Sequence, residues 1–346
     1  MFRVALWGAT GLAGGELLRL IAGHPNMELA CAVSRGRAGQ PLGGTHPHLR
    51  HAYPSCSFVS PEEAREGEAD LAFLALPHGA SAEEAGRCLA RGQKVVDLSA
   101  DFRLRDPEAH RRWYGAEVPA PELRGRGVYG LPELHREELR GADLVSGVGC
   151  NATAAILALL PLARAGVLEE ARVECRVGSS EGGAGGDEGS HHPWRSRALR
   201  VVTPFAHRHL GEVCQELGLE EERLTLGVTA VELVRGVQCL AHATLSRPMV
   251  EGELWRLYRG AYGEEPFVDL CPARPSHQRI PDPRHVLGSN RVRVGFALAE
   301  GGRRILAASA LDNLMKGAAG TALQGANLAL GLPETRGLDM LPVFPA

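Results

Sequence analysis

The sequence of 346 residues lacks several features, and each absence excludes a class of protein. A net charge of −3 lacks the basic excess that is typical of duplex-binding proteins. No apolar run reaches the ~18–20 residues that span a bilayer. Even the apolar stretch 152–165 is interrupted by Pro161 and Arg164. Neither nucleic acid nor a membrane is therefore expected as a partner.

The eight cysteines form no CxxC pair and show no zinc-site spacing, so no metal is expected. Met1 leads directly into a strand-like segment instead of an export signal, which predicts a reducing cytoplasm. Hydrophobic residues make up 44% of the chain and charged residues 23%, a composition that predicts a large core and excludes disorder. The length indicates two domains, or one large domain with insertions.

Lysine is nearly absent, because only Lys94 and Lys316 occur among the 38 basic residues. The remaining basic residues are arginines, which bind carboxylate and phosphate through a bidentate fork. A GC-rich genome would produce the same excess of arginine.

The first half of the chain alternates strand-like and helix-like segments. Apolar residues 2–7 end at a glycine-rich turn, followed by helix-like 17–22 and a second apolar run at 27–33. The alternation continues through segments 71–76, 81–91, 94–98 and 144–148. This pattern predicts a parallel sheet that is covered on both faces.

The second half has strand-like segments that are mostly not separated by helices. After a helix-like segment at 152–164, these segments are 173–177, 224–234, 238–245, 267–270, 291–298 and 303–310. They predict a mostly antiparallel sheet. A final apolar helix is expected at 311–330, and glycine-rich 179–189 is expected to be a loop.

The predicted fold class is therefore α/β, with a Rossmann-type NADP-binding domain and an inserted α+β catalytic domain. The first would comprise 1–150 plus 312–346, and the second would comprise 151–311. A homo-oligomer, a dimer or a tetramer, is expected because an antiparallel sheet with a free face can pack against a copy of itself.

Two motifs point to a dinucleotide. Gly8, Gly11 and Gly14 form a GxxGxxG turn between a strand and a helix, which favours pyrophosphate at the helix N-terminus over an ordinary tight turn. The second strand ends in Ser34-Arg35-Gly36-Arg37, without the carboxylate that holds the ribose of NAD. The two arginines favour the 2′-phosphate of NADP, and a solvated loop is the alternative.

Other motifs carry reactive groups. Cys150 lies between a strand and a helix, with Asn151 or Thr153 near the helix start, and a helix N-terminus favours thiolate. The other seven cysteines are expected to be packing residues. His207-Arg208-His209 supplies a possible acid/base, and Glu212 could orient His209 if a helix begins there.

Arg103 is a candidate phosphate clamp at the carboxyl edge of the predicted sheet. A salt bridge from Arg103 to Asp101 or Asp106 is the alternative.

Five motifs together resemble the N-acetyl-γ-glutamyl-phosphate reductase family. They are GATGLAGGELLRL at 8–20, DLSADFRL at 97–104, GVGCNATAA at 147–155, HRH at 207–209 and DNLMKGAAGTALQGANLALGL at 312–332. The resemblance implies reduction of an acyl phosphate to an aldehyde with NADPH, through a cysteine thioester. It implies that Cys150 is the nucleophile and His209 the acid/base. The cofactor contacts it implies are Thr10, Gly11, Leu12, Ala13, Ser34, Arg35, Gly36 and, at the nicotinamide, Asn313, and the glycine turn adds Gly8.

The sequence departs from the arginine-pathway pattern at two places. Asn151-Ala152 replaces Tyr-Pro after the cysteine, and the substrate loop at 179–187 is altered. Both changes resemble the lysine-biosynthesis branch, in which a small acidic amino-group carrier protein presents α-aminoadipyl phosphate. The substrate-binding residues expected from this reading are Arg103, Asn151, Ser180, Glu181 and Arg208.

The stretch 191–210 contains four arginines, four histidines and no acidic residue. Such a basic surface would steer an acidic carrier, although the arginines could instead bind the substrate's own phosphate and carboxylate. Three alternatives stay open: the arginine-pathway enzyme acting on free N-acetylglutamyl phosphate, an enzyme with both substrates, and an NADP-binding regulatory module. A phosphorylating sugar-phosphate dehydrogenase is less expected, since that family reads Ser-Cys-Thr-Thr-Asn around its cysteine.

Overall fold

The computed structural model describes residues 1–115, 120–123, 125–185, 189 and 191–345. The strands are β1 (Phe2–Trp7), β2 (Met27–Val33), β3 (Phe58–Val59), β4 (Leu71–Leu74), β5 (Lys94–Asp97), β6 (Val128–Tyr129), β7 (Leu144–Ser146), β8 (Leu168–Val177), β9 (Leu199–Thr203), β10 (Leu224–Val231), β11 (Val237–Leu245), β12 (Val268–Leu270), β13 (Val292–Leu298) and β14 (Arg304–Leu311). The helices are α1 (Leu12–Ala22), α2 (Leu42–Thr45), α3 (Pro61–Glu66), α4 (Ser81–Ala90), α5 (Pro107–Tyr114), α6 (Pro132–Leu139), α7 (Cys150–Arg164), α8 (His192–Arg195), α9 (Leu210–Leu217), α10 (Glu251–Tyr262) and α11 (Gly320–Ala329).

The chain divides into two compact units. The first comprises Met1–Val148 and Ala318–Asp339, and the second comprises Gly149–Gly317 and Met340–Ala346. The predicted boundaries at 150 and 312 differ from these. Cys150 begins a helix of the second unit instead of ending the first, and Asn313 also lies in the second unit.

The first unit is built on a seven-stranded sheet in the order β3-β2-β1-β4-β5-β7-β6. All of its pairings are parallel. The strand order reverses between β1 and β4, which is where ligands bind in doubly wound sheets. Every residue of α11 is buried, and this helix packs against β5, β7, α1 and α6. The predicted Rossmann-type domain is confirmed.

The second unit contains a mixed sheet in the order β12-β13-β14-β11-β8-β10-β9. Four of its six pairings are antiparallel, while β8 with β10 and β12 with β13 are parallel. The buried helix α7 packs across β8, β11 and β14. This arrangement fixes the position of the first turn of α7, where Cys150 lies.

A proline inside α7 is compensated by a neighbouring helix. Pro161 has no N–H to donate to the carbonyl of Leu157, one turn earlier. The hydroxyl of Tyr262 on α10 donates to that carbonyl at 2.6 Å, and the hydroxyl of Tyr258 donates to the next one, Ala158, at 2.9 Å. The helix therefore continues past the proline to Arg164 without leaving a buried carbonyl unsatisfied.

Two predictions about the second half are wrong. The expected helix at 311–330 begins only at Met315, with a π-helical turn (Met315–Ala319) that leads into α11, because Leu311 completes β14 by pairing with Val237 and Val292. The sequence reading also missed β9. This strand lies at the edge of the sheet with both faces largely exposed, so it lacks the alternation that marks a half-buried strand.

Within the described residues, no helix is both long and apolar enough to cross a membrane.

Candidate active site

Cys150 is the first residue of α7, and Gly149 is the residue that precedes the helix. The sequence suggested Asn151 or Thr153 as the capping side chain, but no side chain caps this helix. Thr153 Oγ1 instead donates to the carbonyl of Gly149 at 3.0 Å, and the Asn151 amide turns to Glu181. The N–H groups of the first helical turn and the positive end of the helix dipole therefore lie at Cys150, where they favour the thiolate.

Gly149 allows two side chains to approach the backbone directly before the cysteine. Its N–H donates to Glu212 Oε2 at 2.9 Å. A Cβ at this position would lie 2.7 Å from Glu212 Oε1 and 2.8 Å from two carbons of the His209 ring. Gly317 is similarly close, because its Cβ would lie 2.6 Å from Cys150 Cβ. A side chain at either position would displace the groups around the thiol.

His209 is buried at the start of α9, and its Nε2 lies 3.9 Å from Glu212 Oε1. The helix predicted to follow this histidine is present, and it brings Glu212 to the imidazole.

His207 has a different environment. Its Nδ1 accepts the N–H of His209 at 3.2 Å, and the two rings meet edge to face at 4.6 Å. Burial, with a contribution from the positive charge of Arg208, lowers the pKa of His207 to about 4. His207 is therefore neutral at physiological pH and is suited to holding the backbone of His209.

Glu181 lies against the cysteine. The Cys150 thiol donates to Glu181 Oε1 at 3.6 Å, and the Asn151 amide donates to the same oxygen. Burial raises the pKa of Glu181, while these two hydrogen bonds and the positive charges of Arg208 and Arg195 oppose the rise. The oxygen of the same amide, Asn151 Oδ1, is buried and has no hydrogen-bond partner among the described residues. It can accept a hydrogen bond from a ligand.

A cavity of about 480 Å³ opens beside Glu181 in the second unit. Its polar walls carry Arg195, Arg200, Arg208 and His207. Three guanidinium groups around one carboxylate form a site for an anionic ligand. Arg208 was a predicted ligand, whereas Arg195 and Arg200 were noted in the sequence as arginines of the basic stretch 191–210 that could bind either an acidic carrier or the substrate itself. Residues 186 and 187 of the predicted substrate loop lie outside the described residues.

Two further predicted ligands bind each other. Asn313 Nδ2 donates to Ser180 Oγ at 2.9 Å, and Asn313 Oδ1 accepts the N–H of Gly236 at 2.8 Å. Both side chains are buried and hold the turn that carries Glu181. Their assigned contacts, to nicotinamide and to substrate, stay predictions.

Arg103 is buried in the first unit and binds its own loop. Its Nε donates to the carbonyl of Ser99 at 2.9 Å, and its Nη2 donates to that of Leu98 at 3.1 Å. The Asp101 carboxylate accepts the N–H groups of Gly79, Ser81 and Ala82 at the start of α4. The motif at 97–104 thus fixes two loops at the carboxyl edge of the sheet, and the role of Arg103 toward phosphate stays a prediction.

The glycine-rich turn after β1 has the geometry that a dinucleotide requires. Gly8 has a φ of +74°, and a Cβ there would lie 2.1 Å from the carbonyl oxygen of Ala75. A Cβ on Gly14 would lie 2.5 Å from the carbonyl oxygen of Gly8, so this glycine brings the helix close to the turn. Gly11 precedes α1 without a side-chain cap. The amides of Leu12 and Ala13 in the first helical turn therefore suit a pyrophosphate, as does the half-buried turn at Thr10 and Gly11.

The end of β2 lies beside this turn, because β1 and β2 pair up to Trp7 and Val33. Ser34 follows, with its N–H bound to the carbonyl of Val59, and Arg35 and Arg37 are both exposed. No carboxylate occurs between residues 34 and 40. These residues fit the 2′-phosphate of NADP, with Gly36 between the arginines open to a ligand.

No cluster of three or more His, Cys, Asp or Glu side chains in the described part of the chain could hold a metal ion.

Comparison with known proteins yields consistent matches. Residues 3–142 match the model of the semialdehyde dehydrogenase NAD binding domain, and residues 150–313 match that of the semialdehyde dehydrogenase dimerisation domain. The LysW-L-2-aminoadipate/LysW-L-glutamate phosphate reductase of Sulfurisphaera tokodaii is 44% identical over 352 residues, with all of both chains covered. The protein of the same name from Saccharolobus solfataricus is 43% identical over 99% of each chain.

Among solved structures, aspartate semialdehyde dehydrogenase II of Vibrio cholerae matches 96% of this chain and 98% of its own. The TM-score is 0.72 at 17% identity, which supports a common fold.

Proposed function

The chain belongs to the semialdehyde dehydrogenase family, and we propose that it reduces a carrier-bound α-aminoadipyl δ-phosphate to the semialdehyde in lysine biosynthesis. The predictions of an oxidoreductase, of a domain that binds NAD(P) and of NADP as cofactor are confirmed by the family. The observation that carries the proposal is a cysteine on the first turn of a helix, next to a cavity walled by arginines.

In this reaction the Cys150 thiolate attacks the acyl carbon, and the carbon–oxygen bond to phosphate breaks. Arg195, Arg200 and Arg208 hold the anionic groups of the substrate. His209, rather than the neutral His207, supplies a proton to the leaving oxygen, and Glu212 orients it. NADPH, when bound by the residues after β1 and β2, supplies the hydride that converts the thioester to the aldehyde level.

The carrier follows from the names of the relatives, which specify substrates linked to LysW. We extend this to the present chain because the cavity is bordered by a surface suited to an acidic protein. Leu199 on β9 is 81% exposed and Phe205 is 68% exposed, within a stretch that has four arginines and no acidic residue. Exposed apolar side chains among arginines favour a protein partner with acidic groups around an apolar contact.

The proposal is tested by following NADPH oxidation with three substrates. These are carrier-bound aminoadipyl phosphate, carrier-bound glutamyl phosphate and free N-acetylglutamyl phosphate. We expect turnover with the first and little or none with the last. Equal kcat/KM for free N-acetylglutamyl phosphate would instead identify the arginine-pathway enzyme, and turnover of both carrier-bound substrates would identify a dual enzyme.

The carrier surface is tested separately by charge reversal. Arg197 is exposed in the basic stretch, and Arg197→Glu should raise the KM for the carrier-bound substrate, with a smaller effect at high salt. Arg256→Glu, on the exposed side of α10, is the matched control. Equal effects of the two variants would exclude the stretch at 191–210 as the docking surface.

We also propose that the enzyme is a cytoplasmic homo-oligomer. All eight cysteines are free thiols, as suits a reducing compartment. One face of the second sheet forms an open hollow of about 580 Å³ lined by Arg172, His242 and Leu306, among others. The family model that covers this unit is described as a dimerisation domain. Light scattering on the purified protein tests the proposal, and a monomer at micromolar concentration contradicts it.

A further inference from the structure

Glu181 does more than line the substrate cavity. We infer that Glu181 is the base that accepts the thiol proton of Cys150 before the sulfur attacks the substrate. The inference deepens the proposed function and rests on it for the identity of the electrophile. The proton transfer itself concerns only this chain's residues and can be measured without substrate.

The geometry places one carboxylate oxygen at the sulfur. Cys150 Sγ donates to Glu181 Oε1 at 3.6 Å, within the range of a thiol hydrogen bond. The Asn151 amide donates to the same oxygen, so this oxygen is held in place from the neighbouring residue of α7. Asn313 and Ser180 support the turn from the other side. A base that acts on a thiol must be held in this way, within hydrogen-bond reach of the proton.

The environment gives the carboxylate useful basicity. Burial raises the pKa of Glu181 above its usual range, which brings it closer to the pKa of a thiol. The positive charges of Arg208 and Arg195 act in the opposite direction and favour the ionised carboxylate. Cys175, a buried thiol on β8, donates to the carbonyl of Asn151 at 3.9 Å, and its pKa is raised by a hydrogen bond with Cys239 and by burial, so it stays protonated.

The proton and electron balance is closed within the pair. The S–H bond breaks, its proton moves to Glu181, and its electron pair forms the bond from sulfur to the acyl carbon. Phosphate leaves with the electron pair of the broken carbon–oxygen bond. When the carbon–sulfur bond later breaks, sulfur keeps the electron pair and takes the proton back from Glu181. His209 therefore remains available to protonate the leaving oxygen, and the two proton transfers use different residues.

The test is the pH dependence of Cys150 alkylation by iodoacetamide, with peptides quantified by mass spectrometry. A thiol and a carboxyl that share a proton titrate as a pair, so the wild-type rate should rise in two steps. Glu181→Gln keeps the size of the side chain and an acceptor for Asn151, but it cannot take the proton. This variant should lose the step at lower pH, with alkylation near pH 6 slower by about tenfold or more.

Controls are available in the same protein. Exposed Cys56 is an internal reference whose rate should not change, and Glu170→Gln on β8 is a matched substitution of an exposed glutamate. Glu181→Asp retains a carboxylate and should keep the two-step profile at a reduced rate. In turnover, Glu181→Gln should lower kcat more than it raises KM.

Two other results of this experiment would overturn the inference. If Glu181 only repels the thiolate, its removal eases ionisation, and Glu181→Gln would be alkylated faster than wild type near pH 6. An unchanged profile with a raised KM would make it a substrate ligand only. Either result overturns the inference while leaving the proposed function intact. Failure of the wild type to reduce any acyl phosphate would overturn the function and leave the alkylation result standing.

Discussion

Two helices of this molecule, α1 and α7, begin in the same way and serve different chemistry. Each follows a strand of the parallel sheet through a glycine, and neither has a side-chain cap. At α1 the glycines let backbone segments approach closely, because a Cβ on Gly8 or Gly14 would collide with backbone atoms, and the first amides suit a phosphate ligand. At α7 the glycine lets His209 and Glu212 approach, and a cysteine occupies the first helical position. The positive end of a helix thus serves a bound phosphate in one case and a thiolate in the other.

A glycine turn before a helix therefore does not specify a function by itself. What differs is which side chains fill the space that the missing Cβ leaves. A substitution at only one of the two helix starts should therefore change either cofactor binding or the covalent chemistry, but not both.

The largest effect is expected from Cys150→Ser. The serine hydroxyl is not ionised at neutral pH, so kcat should fall by about 10³-fold or more. NADPH affinity, measured by quenching of tryptophan fluorescence, should stay within about twofold of wild type. A parallel loss of cofactor affinity would mean that the two helix starts are not independent.

Gly149→Ala should come next. The added methyl would lie within 2.8 Å of the His209 ring and Glu212, so both must shift from the residue before the nucleophile. We expect kcat to fall by about 10²-fold with NADPH affinity unchanged. Gly252→Ala on α10 has open space around its Cβ and serves as the control. Near-normal turnover of Gly149→Ala would show that the placement of His209 is unimportant.

Arg35→Ser tests the other helix start. Loss of a charged donor to the 2′-phosphate should raise the KM for NADPH by about tenfold and leave that for NADH nearly unchanged. Steady-state kinetics with both cofactors measure the ratio. Equal increases for NADPH and NADH would assign Arg35 to the pyrophosphate or to the loop itself.

The smallest effect concerns His207 and stability. Its pKa in the folded protein is about 4, below the ordinary value of 6.5, so the unfolded chain binds more protons between these limits. Folding stability should therefore fall as the pH drops from 6.5 to 4. His207→Asn keeps an acceptor for the His209 N–H and removes this titration.

Urea unfolding at pH 7 and pH 4.5 should show a decline that is about 1–3 kcal/mol smaller in the His207→Asn variant. Identical declines in the variant and the wild type would place the acid sensitivity elsewhere.

Much of the first unit was predictable because its signals are local. Apolar segments 2–7 and 27–33, with a glycine turn between them, determine the β-α-β unit without reference to the rest of the chain. The second unit was harder, since β9 is an exposed edge strand and carries little hydrophobic pattern. Leu311, the last residue of β14, was misread as the start of the final helix, because an apolar residue suits either structure.

The residues of the site also differ in how far the sequence predicts them. Cys150, His209 and Arg35 stand in recognisable motifs, so the sequence reading selected them. The contact of Glu181 with Cys150 joins residues 31 positions apart, and that of Gly149 with Glu212 joins residues 63 apart. Such contacts depend on how α7, β8 and α9 pack, which no local pattern records. Glu181 was selected only as a substrate ligand for this reason.

The central claim is that a carrier-bound acyl phosphate becomes a thioester on Cys150. The most direct measurement mixes the enzyme with carrier-bound aminoadipyl phosphate in the absence of NADPH, quenches with acid and records the intact mass. We expect an enzyme species heavier by the carrier and its acyl group, with the link mapped to the peptide containing Cys150 and absent in Cys150→Ser. An enzyme that turns over this substrate with NADPH but forms no such adduct, or forms it at another cysteine, would contradict the account.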